Sequence, residues 1–178
     1  LEKDDRVFFV PYVEKYIEQA PTKIRKKTNK PVSADTIKAY KATLTKLLEF
    51  EKYSGKKIKY RDLNLNFHKE FLHFLHKVQN LNLKTTGNYI KNIKTFARQA
   101  KFEGFPVHDE INHPEFFKPD SKTKAIYLTE EEIDRIFYHD FSHNKKLDKA
   151  RDLLIIGLWT GQRIGDFKNI NATNIKNG

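Results

Sequence analysis

Apolar residues recur at helical spacing in four segments within the first hundred positions of the chain. Such spacing gathers the apolar side chains of each segment on one face, which predicts four amphipathic helices around a shared core. The segments lie at residues 6–20, 33–48, 66–79 and 84–101. Pro11 falls in the first turn of the first helix, Ser33 is a good N-cap for the second, and Thr85 or Thr86 is expected to cap the fourth.

The helical pattern stops at "GFPVHDEINHPEFFKPDSKTKA", residues 104–125. This segment holds four residues that interrupt helical periodicity, namely Gly104, Pro106, Pro114 and Pro119. Together with the polar residues around them, they predict a linker between two domains. We therefore expect a helical domain over residues 1–103, a linker over 104–128 and a second domain over 129–178.

The second domain begins with a strong helix-start signal. In "LTEEEI", Thr129 and Glu132 form a capping box, which predicts a helix that runs to about His139. The next helix, from about Leu147, is apolar on nearly every side. Such a helix is expected inside a larger fold than the remaining residues can build, so the second domain is expected to be incomplete.

Positive charge is concentrated in the first part of the chain. The formal net charge is +11 and the pI is about 9.6. Residues 1–103 hold 23 Lys and Arg against 11 Asp and Glu, whereas residues 104–178 hold 11 against 12. A surface this positive favours a polyanionic partner, with nucleic acid the leading class and an anionic membrane surface the second. The helical domain is the part of the chain expected to bind this polyanionic partner.

The polar face of the fourth predicted helix is basic, and no acidic residue occurs from Lys84 to Lys101. At about 100° per residue, the side opposite the core collects Lys84, Asn88, Lys91, Lys94, Thr95 and Arg98, with Lys101 at its margin. Like charges at this spacing repel each other, and phosphates along a nucleic-acid groove would relieve the repulsion. Three residues of the second helix extend this candidate DNA-binding set: Lys38, Lys41 and Thr45. A merely solubilising basic face is the alternative.

Other patterns that carry chemistry are weak. The absence of cysteine excludes disulfides and thiolate metal sites. Glu70, His73 and His76 share one side of a helix, but they alternate with an apolar stripe and fit a solvated polar face better than a metal site. We find no Gly-rich phosphate loop, no tyrosine in a nucleophile context and no apolar run long enough to cross a membrane. We therefore expect no cofactor, no metal and no membrane partner.

The stretch "LLIIGLWTGQRIGD", residues 153–166, places Arg163 directly after an apolar helix. A rigid, buried helix would hold the guanidinium at a fixed point, where its planar fork grips an oxyanion with two hydrogen bonds and Asp166 supports it. A local ion pair between Arg163 and Asp166 at a helix junction is the alternative. Phosphate is the natural oxyanion for a chain with this charge.

The order of a basic helical domain, a linker, "YLTEEEI", an apolar helix and "TGQRIGD" closely resembles the tyrosine recombinases, the phage and transposon integrase family. The resemblance covers essentially the whole chain. Residues 160–166 match the family's Thr-Gly-x-Arg-x-x-Glu/Asp motif, and "SADTIKAY" and "TTGNYIKNIKTFARQAKFEG" match its core-binding domain more loosely. The resemblance implies a mainly α fragment, with a four-helix SAM-like core-binding domain followed by an incomplete α+β catalytic domain.

The resemblance also implies a function. The intact protein would clamp duplex DNA, assemble as a tetramer on it, and cleave and rejoin strands through a 3′-phosphotyrosyl intermediate during recombination or integration of a mobile element. Arg163 matches the arginine that holds the scissile phosphate, and Asp166 stands where many members have Glu. The remaining catalytic residues, including the tyrosine, are expected beyond Gly178, so this fragment alone is expected to be inactive. A cytoplasmic, nucleoid-associated location is expected, and a non-catalytic DNA-binding regulator is the alternative.

Overall fold

The computed structural model describes residues 7–25, 29–121 and 125–167, together with residues 169 and 171. It divides into two compact units, Leu1–Lys122 and Thr123–Gly178. Helix dominates both units, and the mainly α class that the sequence predicted is confirmed. Within the described residues, regular sheet is limited to one hairpin of two short antiparallel strands, β1 (Ile24–Arg25) and β2 (Lys30–Pro31).

Among the described residues, the first unit contains four α-helices. They are α1 (Phe9–Gln19), α2 (Ala34–Ser54), α3 (Leu65–His73) and α4 (Leu83–Phe102). A π-helical turn at Phe74–Val78 continues α3, and 3₁₀ turns occur at Ala20–Thr22, Tyr60–Asp62 and Asp109–Asn112. All four predicted segments therefore form helices.

The start of α2 follows the sequence prediction, whereas the start of α4 does not. The Ser33 hydroxyl accepts a hydrogen bond from the Thr36 amide at 3.4 Å, as expected of an N-cap. The cap of α4 is Asn82, whose side-chain oxygen accepts from the Thr85 amide at 2.8 Å. Thr86, one of the two predicted caps, is instead buried inside the helix. The assignment failed because asparagine caps at least as well as threonine and stands one turn earlier.

Aromatic side chains hold the helices of the first unit together. The Phe50 ring of α2 lies 5.7, 5.2 and 5.5 Å from the rings of Phe67, Phe71 and Phe74 respectively. On the other side, the Phe96 ring of α4 lies 5.0 Å from that of Tyr40, edge to face. Such pairs each contribute about 0.5–1.5 kcal/mol beyond the area they bury. They fix α2 between α3 and α4.

Residues 105–119, which we call the strap, pack onto the first unit. Val107, Ile111 and Phe116 belong to its buried core, and the Phe105 ring stacks on that of Tyr60 with centroids 4.8 Å apart. The predicted linker began at residue 104, so that boundary is wrong for these residues. Its prolines do stop the helix, but the apolar residues between them fill the core in extended and 3₁₀ conformations.

The strap leaves no room for a side chain on α4 at Gly87. A Cβ built on Gly87 would lie 1.9 Å from the Pro119 carbonyl oxygen, far closer than any van der Waals contact allows.

On α3, the buried His68 ring also packs against the strap: it lies 4.6 Å from the Phe116 ring, and its Nε2 is 2.9 Å from the Phe117 carbonyl oxygen. Burial lowers the pKa of His68 below its usual value, although the bond to Phe117 opposes the shift.

The second unit contains α5 (Glu130–Tyr138), α6 (Lys145–Thr160) and the short α7 (Ile164–Phe167). The predicted capping box at Thr129 and Glu132 is present, with both reciprocal hydrogen bonds. The burial expected for the apolar helix is not found, since Ile155 is the only buried residue of α6 in the described part. A nine-residue helix such as α5 is too short to cover several faces of α6, and Trp159 stays 86% exposed.

None of the helices in the described part of the chain is both long enough and apolar enough to cross a membrane.

Candidate nucleic-acid interface

The basic face expected on the fourth helix lies along the outer side of α4. Lys84, Asn88, Lys91 and Arg98 are exposed, and Lys94 and Thr95 are partly exposed. The opposite side of the helix carries its buried apolar residues, with Ile90, Ile93 and Phe96 fully enclosed. The 3.6-residue period therefore separates the two faces as the sequence predicted.

Three cations of α4 form hydrogen bonds or an ion pair with residues of the strap. The Lys94 ammonium donates to the Phe116 carbonyl oxygen at 2.6 Å and lies 5.4 Å from the centre of the Phe116 ring. Burial, and secondarily the charge of Arg98, lowers the pKa of Lys94. The Arg98 Nε donates to Asn112 at 3.1 Å. These bonds tie the C-terminal half of the face to the protein itself.

The last cation of the helix, Lys101, also binds the strap. Its ammonium pairs with the Asp109 carboxylate, and this contact lowers the pKa of that carboxylate. Lys94, Arg98 and Lys101 thus serve in the first place as anchors for the strap. The sequence did not indicate this, because the partners lie 8 to 22 residues further along the chain.

The N-terminal half of the face is different. The structure records no hydrogen bond or ion pair for the side chains of Lys84, Asn88 and Lys91 with the residues it describes. Thr95 uses its hydroxyl to donate to the Lys91 carbonyl oxygen at 3.0 Å, within its own helix. The polar groups still available to a ligand on α4 are therefore concentrated between Lys84 and Lys91.

The α2 residues of the predicted set are exposed but occupy a separate face. Lys38, Lys41 and Thr45 are accessible, and the Thr45 hydroxyl donates to the Lys41 carbonyl oxygen at 3.2 Å. Thr43 faces α4, and at about 100° per residue these three side chains point to the opposite side of α2. The structure therefore does not bring them next to the cations of α4.

A buried polar pair that the sequence analysis missed fixes α2 against α4. The Asn92 amide donates to the Thr43 hydroxyl at 2.9 Å and approaches the Ala39 carbonyl oxygen at 3.4 Å, while Thr43 itself donates to Ala39 at 2.9 Å. Buried polar groups of this kind are stabilising when all are paired, and each is costly when left alone. The only sequence signal was a polar residue on the apolar side of each helix.

In the second unit, Arg163 lies exposed directly before α7. Its carbonyl oxygen accepts hydrogen bonds from the amides of Asp166 at 2.9 Å and Phe167 at 2.8 Å. Among the described residues the structure records no ion pair between the side chains of Arg163 and Asp166. The local ion pair between Arg163 and Asp166, considered as an alternative, is therefore not formed among the described residues. The buried helix expected to hold Arg163 is not observed either, because α6 is largely exposed.

The weaker candidate metal ligands do not form a site in the described part of the chain. Within the residues that the structure describes, no group of three or more His, Asp or Glu side chains is arranged to hold a metal ion. Glu70 accepts a hydrogen bond from the Asn66 amide at 2.8 Å, and His76 Nδ1 lies 2.9 Å from the Leu81 carbonyl oxygen. These contacts are local ones within and beside α3.

Comparison with known protein families shows the family to which the chain belongs. A family model described as the phage integrase SAM-like domain matches residues 8–112. The match covers more than half of the chain, and the chain belongs to this family, the N-terminal domain of tyrosine recombinases and integrases. No curated protein and no solved structure matched it. The match runs past residue 103 into the strap, so the family's domain includes part of the segment expected to be a linker.

Proposed function

We propose that the first unit binds duplex DNA through the outer face of α4, as the DNA-binding domain of a tyrosine recombinase. The single observation that carries the proposal is the run from Lys84 to Lys91, an exposed face of an integrase-family domain on which two cations and an amide have no partner among the described residues. The exposed cations Lys38 and Lys41 of α2 would bind the DNA backbone at a second position.

Electrostatics supports this proposal. Asp109 of the strap offsets the charge of Lys101, whereas Lys94 and Arg98 bind neutral oxygen atoms of the strap, and no acidic residue within the helix offsets Lys84 or Lys91. A protein that neutralises phosphates releases counterions, so its affinity falls with salt by roughly 0.9 logarithmic units per contact for each decade of salt. Binding of this type needs exposed cations and no deep pocket, which matches an open helical face.

Charge reversal with a matched control tests the proposal. Lys84→Glu/Lys91→Glu should weaken binding to any duplex, because two phosphate contacts are lost. The slope of log affinity against log salt concentration should become shallower by roughly the amount expected for two contacts. The control is Lys69→Glu/Lys77→Glu, which makes the same change of charge at exposed positions outside α4. Equal weakening by both variants would mean that only net charge matters, and it would contradict a binding face on α4.

For the second unit we propose that Arg163 binds the scissile phosphate in the intact recombinase. Arginine offers two parallel donors to the non-bridging oxygens and stabilises the charge that develops as phosphorus becomes five-coordinate. The support is the motif match at residues 160–166 and the exposure of the side chain before α7. Asp166 would act in support, through the backbone turn in which its amide donates to Arg163.

The test for Arg163 uses a protein that carries this chain together with the family's tyrosine nucleophile. Arg163→Ala should leave duplex binding nearly unchanged and reduce the covalent protein–DNA adduct by orders of magnitude. Arg163→Lys should restore little, because an ammonium cannot reproduce the two-donor fork. A fully active Arg163→Ala protein would end the assignment. Duplex binding with no adduct in the parent protein would instead favour a non-catalytic DNA-binding regulator.

A further inference from the structure

We infer that Asn88 is the base-reading residue of the first unit and that the base it recognises is adenine, read in the major groove. The inference rests on the proposed binding of duplex DNA by α4. It goes further in separating two roles on that face, since the flanking lysines would bind phosphates and the asparagine would supply sequence preference.

Asn88 is singled out by the hydrogen bonds of its neighbours. Thr95 has committed its hydroxyl proton to the Lys91 carbonyl oxygen, and Asn92, one turn further along, is locked onto Thr43 and Ala39. Arg98, the side chain best suited to guanine, has no acceptor group and uses its Nε to donate to Asn112. On the outer face of α4 this leaves Asn88 as the exposed carboxamide whose donor and acceptor groups have no partner in the described residues.

The spacing of the two lysines fits an approach to the major groove. Lys84 and Lys91 precede and follow Asn88 by four and three residues, so they share its side of the helix and lie about 10 Å apart along the axis. The major groove is about 12 Å wide and admits an α-helix. Long lysine side chains can reach outward to the phosphates on the groove walls. A short asparagine side chain between them reaches only the base edges on the groove floor, directly beneath the helix.

The neighbouring helix carries two small side chains beside α4. Ala39 and Ala42 of α2 are exposed and carry no side chain beyond Cβ, and Ala39 adjoins α4 through its contact with Asn92. At these two positions α2 presents no long side chain to an approaching duplex.

The chemistry of the side chain selects the base. A carboxamide offers one acceptor and two donors, so it can accept from the adenine N6 amine and donate to N7 at the same time. Guanine presents two acceptors at the corresponding edge, which suits arginine or lysine, and cytosine presents a donor alone. A neutral amide between two cations has little to add to phosphate binding, which the lysines already provide.

Selection of bound duplexes from a random library, with the whole chain as bait, tests the inference. The parent chain should enrich sequences with one position fixed as adenine, and Asn88→Ala should lose the preference at that position only. For the selected duplex, replacing that adenine by 7-deazaadenine should weaken parent binding by roughly 5- to 150-fold and leave Asn88→Ala binding unchanged. The salt slope of Asn88→Ala should equal that of the parent, because no phosphate contact is lost.

The outcomes separate this inference from the proposed function. Failure of the parent chain to bind any duplex would overturn both. Binding with no base preference, a preference that Asn88→Ala retains, or an Asn88-dependent preference for another base would overturn the inference and leave DNA binding by α4 intact. Because Asn88 is exposed, Asn88→Ala should fold like the parent, and an unchanged melting curve verifies that any lost preference is not due to unfolding.

Discussion

Two neighbouring phenylalanines in the strap allow a sharp test of whether the strap belongs to the folded domain. Phe116 is fully buried and Phe117 is 51% exposed. If residues 105–119 formed a free linker, alanine at either position would have the same small effect on stability. Because the structure packs them so differently, Phe116→Ala and Phe117→Ala should differ strongly.

The expected magnitude follows from what each ring contacts. The Phe116 ring lies against the His68 ring and beneath the Lys94 ammonium, and replacing a core phenylalanine by alanine costs about 3–5 kcal/mol. The Phe117 ring contacts His68 at 5.4 Å but is half in solvent, so its loss should cost about 1 kcal/mol or less. The backbone acceptors of both residues survive the substitution, which leaves the loss of the ring as the main difference.

Urea unfolding followed by far-ultraviolet circular dichroism measures the difference. The helices of the first unit supply most of the signal, and an unchanged m-value would show that both variants still unfold from the same compact state. We expect the unfolding midpoint of Phe116→Ala to fall well below that of Phe117→Ala. If the two free energies of unfolding agreed within about 1 kcal/mol, the packing of the strap described above would be wrong.

Two further predictions concern the surroundings of the strap. Gly87→Ala should destabilise the first unit by roughly 1–3 kcal/mol, because the new Cβ must displace Pro119. Its control, Gly157→Ala in α6, meets no atom within 4 Å and should stabilise its helix by up to about 1 kcal/mol in the same urea experiment, so equal effects would refute the close contact. The free energy of unfolding should also decline as the pH falls below about 6.5, because His68 is buried with a lowered pKa and the unfolded chain takes up the proton first. His68→Gln should flatten that decline, and an unaltered pH profile would contradict it.

The sequence predicted those features of the fold that depend on local pattern. The 3.6-residue period of apolar residues located four helices, and it separated the basic face of α4 from the face that carries Ile93 and Phe96. The capping box at Thr129 was equally local and is present. Each of these needs only residues within a turn or two of one another.

Contacts between residues that are far apart in the sequence could not be predicted from local pattern. The prolines of the strap predicted an end to helix, and they could not predict that Ile111 and Phe116 would return to the core of the same domain. For the same reason Lys94 and Arg98 were predicted to belong to the candidate DNA face, although both are bound to the strap. A helical wheel locates a side chain on a face, but it does not tell whether another segment already covers that face.

Lysine labelling with and without duplex DNA tests the central claim most directly. An amine-reactive reagent modifies exposed lysines, and peptide mass spectrometry gives the extent at each position. DNA bound along α4 should reduce the labelling of Lys84 and Lys91 and leave Lys69 and Lys77 unchanged, and raising the salt concentration should abolish the protection. Equal protection of all four lysines, or protection of Lys69 and Lys77 alone, would contradict the account.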